Sequence, residues 1–232
     1  MADRNWPALT LLGTLRSAVR DQLLALGHER KFPAKANLLR FGDPGDHAIL
    51  LLSGVVKVLV HSPVGAEILL AVRVGGDLVG EMAMLDGSSR SANVVACGEV
   101  EARIIRQAEM GRFLEHTPQA AYEVSRMISG RLRWSDRRRV DFVARSPLGR
   151  LAHVLAEVAE IYGRRAGDRW ELDIPLTQAE LGSLAGMARR TVEKCFGELV
   201  AAGVVESSYR GYTVLDMSEL RQVADLPAAN PH

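Results

Sequence analysis

At 232 residues, 47% of them hydrophobic and 25% charged, the chain has the composition of a soluble globular protein with room for one large domain or two ordinary ones. No apolar run approaches the roughly 20 residues a membrane helix needs, because Lys, Arg, Asp or Glu interrupts every candidate. The first seven residues lack the basic-then-apolar layout of a secretory signal and the net charge is only +1, so the expectation is a cytoplasmic protein with no membrane partner.

Residues 14–27 carry Leu15, Val19, Leu23, Leu24 and Leu26 at helical spacing and predict a helix ending at Gly27. From 28 to 107 the texture changes. Short apolar runs at Ile49–Leu52, Val55–Val60 and Ile68–Val72 are separated by the turn signals Gly42–Asp46, Ser53-Gly54, Ser62–Gly65 and Gly75–Asp77. Short strands between Gly-rich turns predict a jelly-roll barrel.

Within that region Gly80-Glu81-Met82 opens a short helical turn, and a loop then delivers Arg90-Ser91-Ala92. A short helix start offers unpaired amides to an anion. Arg90 would add a charge-assisted partner for a phosphate, and Ser91 a further donor. A carboxylate beside an anion needs another task, and a ribose 2′-hydroxyl would give one to Glu81. The alternative is a structural salt bridge between Glu81 and Arg90. Cys97 and Cys195 are too far apart in context for a Cys-rich metal site and read as space-filling thiols.

Thr117-Pro118 starts a long helix, Thr as cap and Pro in the first turn, running to Ala144. Ala121, Val124, Ile128 and Leu132 alternate at three- and four-residue steps, the spacing of a seam between two parallel helices. Six arginines and two aspartates between Gly130 and Arg145 read as a solvated face or as a basic surface near DNA. Ser146-Pro147 breaks the helix. Another helix is expected over 148–161, then a polar, Arg-bearing loop from Gly163 to Trp170 and a short strand from Glu171 to Pro175.

Thr177 followed by Glu180 is a capping box. Gly182 allows two helices to approach, Gly186 suits a positive-φ turn, and Leu181, Leu184, Val192 and Phe196 would form the core between them. That is a helix-turn-helix whose second helix exposes Arg189, Arg190 and Lys194, long donors suited to base edges in the major groove of double-stranded DNA. Thr177 and Thr191 are candidate phosphate contacts. Residues 204–215, turning near Tyr209-Arg210-Gly211, would form a wing.

Together the Ser53-Gly54 turn, Gly76-Asp77, Gly80-Glu81 through Arg90-Ser91-Ala92, the long helix and Arg189 with Thr191-Val192 resemble the CRP/FNR regulators, over roughly residues 12 to 216. The resemblance implies an α+β architecture: a jelly-roll cyclic-nucleotide-binding sensor (1–116), a dimerisation helix (117–145) and a winged helix-turn-helix (146–232). It implies a homodimer whose effector is cAMP rather than cGMP. Gly80, Glu81 and Met82 would line the ribose-phosphate end, Arg90 and Ser91 would hold the phosphate, and Ser135 and Asp136 would reach the purine. Asp136 departs from the family's hydroxyl, Arg190 from its usual acid and Ala188 from its usual serine, so the operator should differ from the best-known one. The Gly163–Trp170 loop stands where relatives touch RNA polymerase. The iron–sulfur branch needs an N-terminal cysteine cluster, which residues 1–30 lack, and His28, His47 and His61 read as ordinary histidines. Two alternatives stay open: the same DNA-binding regulator with another effector or none, and a metal-dependent barrel enzyme, which would need clustered histidines and a carboxylate.

Overall fold

The computed structural model describes residues 6–62, 65, 67–172, 174–208 and 211–225. They form two compact units, Met1–Arg133 and Trp134–His232.

The first unit opens with two short helices, α1 (Leu11–Thr14) and α2 (Ser17–Leu24), in place of the single helix expected over 14–27. Thr10 caps α1 by accepting from Gly13 N at 3.3 Å, and Leu15 then turns extended, so the helix must restart. The strands that follow are β1 (His28–Phe32), β2 (Asn37–Leu39), β3 (His47–Ser53), β4 (Val55–His61), β5 (Glu67–Val74) and β6 (Leu78–Val79). Helix α3 (Glu81–Asp86) precedes β7 (Asn93–Ala96) and β8 (Val100–Arg106). These strands make two antiparallel four-stranded sheets, ordered β1-β8-β3-β6 and β2-β7-β4-β5, the double-sheet arrangement of a jelly roll. In the Ser62–Gly65 turn, Pro63 and Val64 lie outside the described residues.

Strand β3 explains why its sequence is a continuous apolar run. Ile49 and Leu51 point into the core between the sheets with Phe32, Val56, Val94 and Val100. Ala48, Leu50 and Leu52 point the other way, onto Leu11, Leu12, Leu23, Met84, Met110 and Val124 of the surrounding helices. A strand covered on both faces reads as apolar throughout rather than alternating.

Helix α4 (Gln107–His116), which no sequence signal above predicts, buries Met110 and leads into α5 (Pro118–Ala144). The expected seam residues divide. Val124 is buried in the helix-covered core of the barrel and Ile128 packs against it, so both serve this unit's own interior, whereas Leu132 is 62% exposed.

The second unit begins inside α5. Helix α6 (Pro147–Tyr162) is capped by Ser146, which accepts from Gly149 N at 3.1 Å. The expected Gly163–Trp170 loop is instead a hairpin of β9 (Arg164–Ala166) and β10 (Arg169–Leu172), turning at Gly167 with φ +65°. The strand expected over 171–175 is therefore displaced toward its start. Asp173 lies outside the described residues and Ile174 is beyond the strand. Helices α7 (Gln178–Leu184) and α8 (Arg189–Ala201) follow, then β11 (Val205–Ser208), β12 (Gly211–Val214) and α9 (Met217–Val223). The last four strands form one sheet, β11-β12-β10-β9. Tyr209 and Arg210 of the wing turn lie outside the described residues.

Candidate functional site

Gly80 caps α3 in the left-handed region (φ +77°), where a Cβ would come within 2.8 Å of both Arg90 Nη1 and Leu39 Cδ1. Only glycine lets the guanidinium approach this closely. Arg90 is 3% exposed; its Nη1 donates to Gly80 O at 2.8 Å and its Nη2 to His47 O at 2.6 Å. Burial pushes its pKa down, and the charges of Asp46, Asp43 and Glu81 only partly offset this. The loop is pinned from the other side by two backbone bonds, Arg90 N to Asp43 O and Gly42 N to Arg90 O, each 2.9 Å. Two of the guanidinium's five N–H donors are used on carbonyls, so it can still serve an anion.

Glu81, 5% exposed, does not pair with Arg90. It accepts from Arg131 Nη1 on α5 at 2.5 Å. Arg131 Nη2 also donates to Leu78 O at 2.9 Å and lies 3.4 Å from Asp77 Oδ1. Asp77, itself 7% exposed, accepts from Val74 N through its other oxygen. The protein partner of Glu81 is thus not Arg90, as the salt-bridge alternative had it, but an arginine that in the sequence stands out only as part of a basic run. Met82, 57% exposed, and Ser91, also exposed, flank the buried pair. The first turn of α3 has no side-chain cap, leaving its amides for a ligand. An uncapped turn, a glycine cradle and a spare-donor arginine together fit an anionic group.

Ser135 and Asp136 belong to the second unit and are exposed; Asp136 lies 3.8 Å from Arg139. Ser135 lines a cavity of about 350 Å³ beside Arg138, Phe142 and Gly186. Of the six arginines between 130 and 145, three turn inward rather than forming one solvated face. The side chains of Arg131, Arg138 and Arg145 are 20%, 16% and 19% exposed, against 58% for Arg137 and 82% for Arg139.

The helix-turn-helix forms as its local signals require. Thr177 Oγ1 accepts from Glu180 N at 3.2 Å while Thr177 N donates to Glu180 Oε2 at 2.8 Å, closing the capping box. A Cβ on Gly182 would meet Val192 Cγ1 at 3.1 Å, and Gly186 takes φ +62°. Leu181, Leu184, Val192 and Phe196 are buried, and Phe196 packs edge-on to Tyr212 of the wing strand at 5.1 Å. Helix α8 starts at Arg189 with Ala188 as a cap that offers no side-chain bond, so its first amides are open. Arg189, Arg190 and Lys194 are exposed, and Thr191 is half-buried beside them. Arg189 Nε donates to Glu193 at 2.7 Å, which raises its pKa, and Lys194 lies 3.9 Å from Glu198. Both are solvated i,i+4 pairs that a stronger anion can displace. Thr177 is exposed at the start of α7. Cys97 is half-buried and Cys195 buried, the latter's thiol pKa pushed up by burial.

Two family models match the chain: the cyclic nucleotide-binding domain over residues 29–117 and the Crp-like helix-turn-helix domain over residues 149–223. The class is therefore a regulator with a cyclic-nucleotide-binding barrel ahead of a DNA-binding domain. A CRP-like cAMP-activated global transcriptional regulator from Mycobacterium tuberculosis is 26% identical over 193 residues, 83% of this chain and 86% of the relative. The cyclic AMP receptor protein of Thermus thermophilus is 26% identical over 204 residues, 88% of this chain and 91% of the relative. A solved CRP/FNR-family transcriptional regulator, also from Thermus thermophilus, aligns with a TM-score of 0.70 at 25% identity, covering 85% of this chain and 98% of that one. The chain belongs to the CRP/FNR family of transcription regulators. Its relatives are transcriptional regulators rather than enzymes, which removes the metal-enzyme alternative. Among the described residues no helix is long and apolar enough to cross a membrane.

Proposed function

We propose that this regulator responds to cAMP and binds a specific operator as a homodimer, with residues 1–116 as sensor, 117–145 as dimerisation helix and 146–232 as DNA-binding domain. The observation that carries the effector reading is the Gly80–Arg90 cradle, a buried guanidinium with donors to spare beside an uncapped helix turn. The effector supplies an anionic phosphate and a ribose hydroxyl. Arg90, Ser91 and the first amides of α3 hold the anion. Glu81 accepts from the hydroxyl and so loosens its hold on Arg131, which links the pocket to α5. Met82 lines the ribose end, and Ser135 and Asp136 are the purine contacts. Two relatives carry cAMP in their names, which favours it over cGMP.

Exposed Leu132, Val140 and Val143 on α5 supply the apolar surface for a second copy. Arg189, Arg190 and Lys194 read base edges, while Thr177 and Thr191 fix register on the phosphates. The β9–β10 hairpin is the surface offered to RNA polymerase, and the protein works in the cytoplasm. Isothermal titration with cAMP should show binding that Arg90→Leu abolishes, with the melting of the variant followed in parallel; no heat with either cAMP or cGMP refutes the effector reading. Selection of bound genome fragments with and without cAMP then identifies the operator.

A second reading keeps the DNA function and gives the barrel a different effector. It is favoured by the ready-made Glu81–Arg131 pair and by Asp136 in place of a hydroxyl. Mass spectrometry of any molecule that co-purifies with the protein separates the two.

A further inference from the structure

Helix α5 holds the helix-turn-helix through a chain of polar groups, half-buried except for the buried His153, that touch no candidate DNA contact. Arg138 Nη1 donates to the carbonyl of Leu184, the last residue of α7, one of the acceptors a helix C-terminus leaves without an intrahelical donor. Its Nη2 donates to Glu157 Oε2 at 3.2 Å, and its guanidinium lies 4.1 Å from the centre of the Trp134 ring. Burial lowers the pKa of Arg138, and Glu157 and Asp141 draw it back toward its ordinary value. One turn along, the Phe142 ring sits 3.2 Å from where a Cβ on Gly186 would be, so the turn between α7 and α8 rests directly on α5.

Seven residues after Arg138, Arg145 repeats the arrangement. Its Nε donates to Asp141 at 2.8 Å and its Nη1 to the carbonyl of Ala224, the C-cap of α9. His153 of α6, 6% exposed, joins the two halves: Nδ1 lies against Asp141 Oδ2 and Nε2 is 3.5 Å from Glu157 Oε1. The result is a chain of close N–O contacts, Arg138–Glu157–His153–Asp141–Arg145, in which His153 Nδ1 meets Asp141 as a charge contact without hydrogen-bond geometry, and each arginine closes the end of a short helix.

We infer that Arg138 is a positioning residue for DNA recognition, with Arg145 as its counterpart on α9: the network fixes the recognition helix against the 134–144 stretch of α5. Leu184 is five residues before Arg189, and the intervening turn is closed by the 2.9 Å bond from Met187 N to Gly182 O. Holding Leu184 therefore sets the direction of α8. In this arrangement the basic start of α8 is exposed, as contact with DNA requires. Without the network the helix-turn-helix samples other orientations, and only the competent fraction binds. The inference rests on the proposed DNA function but not on the identity of the effector.

The test uses the full-length protein and a fluorescent duplex recovered by the genome-fragment selection, titrated across a salt series. Arg138→Gln should weaken binding about tenfold with an unchanged slope of log Kd against log salt, because Arg138 touches no phosphate. Arg138→Lys, which keeps a charge for Glu157 and a donor for Leu184, should recover most of the loss. Binding within about twofold of wild type overturns the inference, as does a slope reduced by about one, which marks a direct phosphate contact. If Arg138→Gln does not fold, Glu157→Gln carries the test. About threefold weaker binding with faster amide exchange at Gly186 and Met187 supports the inference, and unchanged values of both refute it. Wild-type protein that binds no duplex at all sinks the DNA function instead, a distinct result.

Discussion

Replacing Arg131 by methionine strands two carboxylates at once. Glu81 and Asp77 are 5% and 7% exposed, and Arg131 is the cation that faces both. Removing one partner of a buried pair costs roughly 3–5 kcal/mol; Arg131 keeps 20% side-chain exposure, so the lower end, about 3 kcal/mol, applies. Glu81→Gln is milder, because Arg131 retains Asp77 and the Leu78 carbonyl, and the loss of one charge-assisted bond is worth about 1.5 kcal/mol. Independent effects would sum to about 4.5 kcal/mol in the double variant. The geometry predicts only about 3 kcal/mol, since an amide at position 81 leaves no buried charge there for the missing guanidinium to compensate. The chain has two compact units, so a single melting curve is not a stability. Urea-dependent hydrogen exchange of amides in β3 and β8 isolates the first unit. A double variant whose loss equals the sum of the singles to within about 0.5 kcal/mol would show that the two side chains are not coupled, and the reasoning would fail.

Gly80→Ala should cost about 1–2 kcal/mol for its left-handed backbone and should push Arg90 off Gly80 O, so calorimetry should detect no cyclic nucleotide binding; unchanged affinity refutes the cradle. Acid should act on the second unit through Glu157. Burial pushes that carboxyl up, but the His153 hydrogen bond, Arg138 and Arg137 outweigh it, and its folded pKa falls below the ordinary carboxylate value. A lowered folded pKa gives stability that is complete above the unfolded value of about 4.3 and is lost as pH falls through the folded one. Urea midpoints followed by exchange of α6 amides should therefore fall on acidification in wild type and fall less steeply in Glu157→Gln; equal slopes refute the assignment.

What could be read from the sequence was mostly local. The helix-turn-helix was legible because each of its signals acts within a few residues: Thr177 with Glu180, Gly182 against Val192, Gly186 at the turn. The barrel was legible from short apolar runs between glycines, although β3 shows two buried faces where alternation alone would have predicted one. The break between α1 and α2 depends on Thr10 capping and an extended Leu15, which apolar spacing passes over. The β9–β10 hairpin was hidden by arginines that read as loop, because its strand character comes from pairing Trp170 and Leu172 with Val214 and Tyr212. Glu81 stood out but its partner did not, since Arg131 is 50 residues away.

A signal for that partner is nonetheless present in the chain. Arg131, Arg138 and Arg145 recur every seven residues, about two helical turns. Apolar periodicity alone assigns α5 a seam through Val124 and Ile128 and leaves the charges to solvent. The inward arginines constrain the helix more tightly than its apolar contacts through Val124 and Ile128. An apolar side chain that shifts by about an ångström still excludes water. A guanidinium that shifts as far loses its geometry, and a buried carboxylate is left uncompensated. Sliding α5 by one residue, a rise of about 1.5 Å with a turn of about 100°, would carry Arg131 away from Glu81 and Arg138 away from Leu184. The register of α5 is thus written in its charges as much as in its apolar contacts.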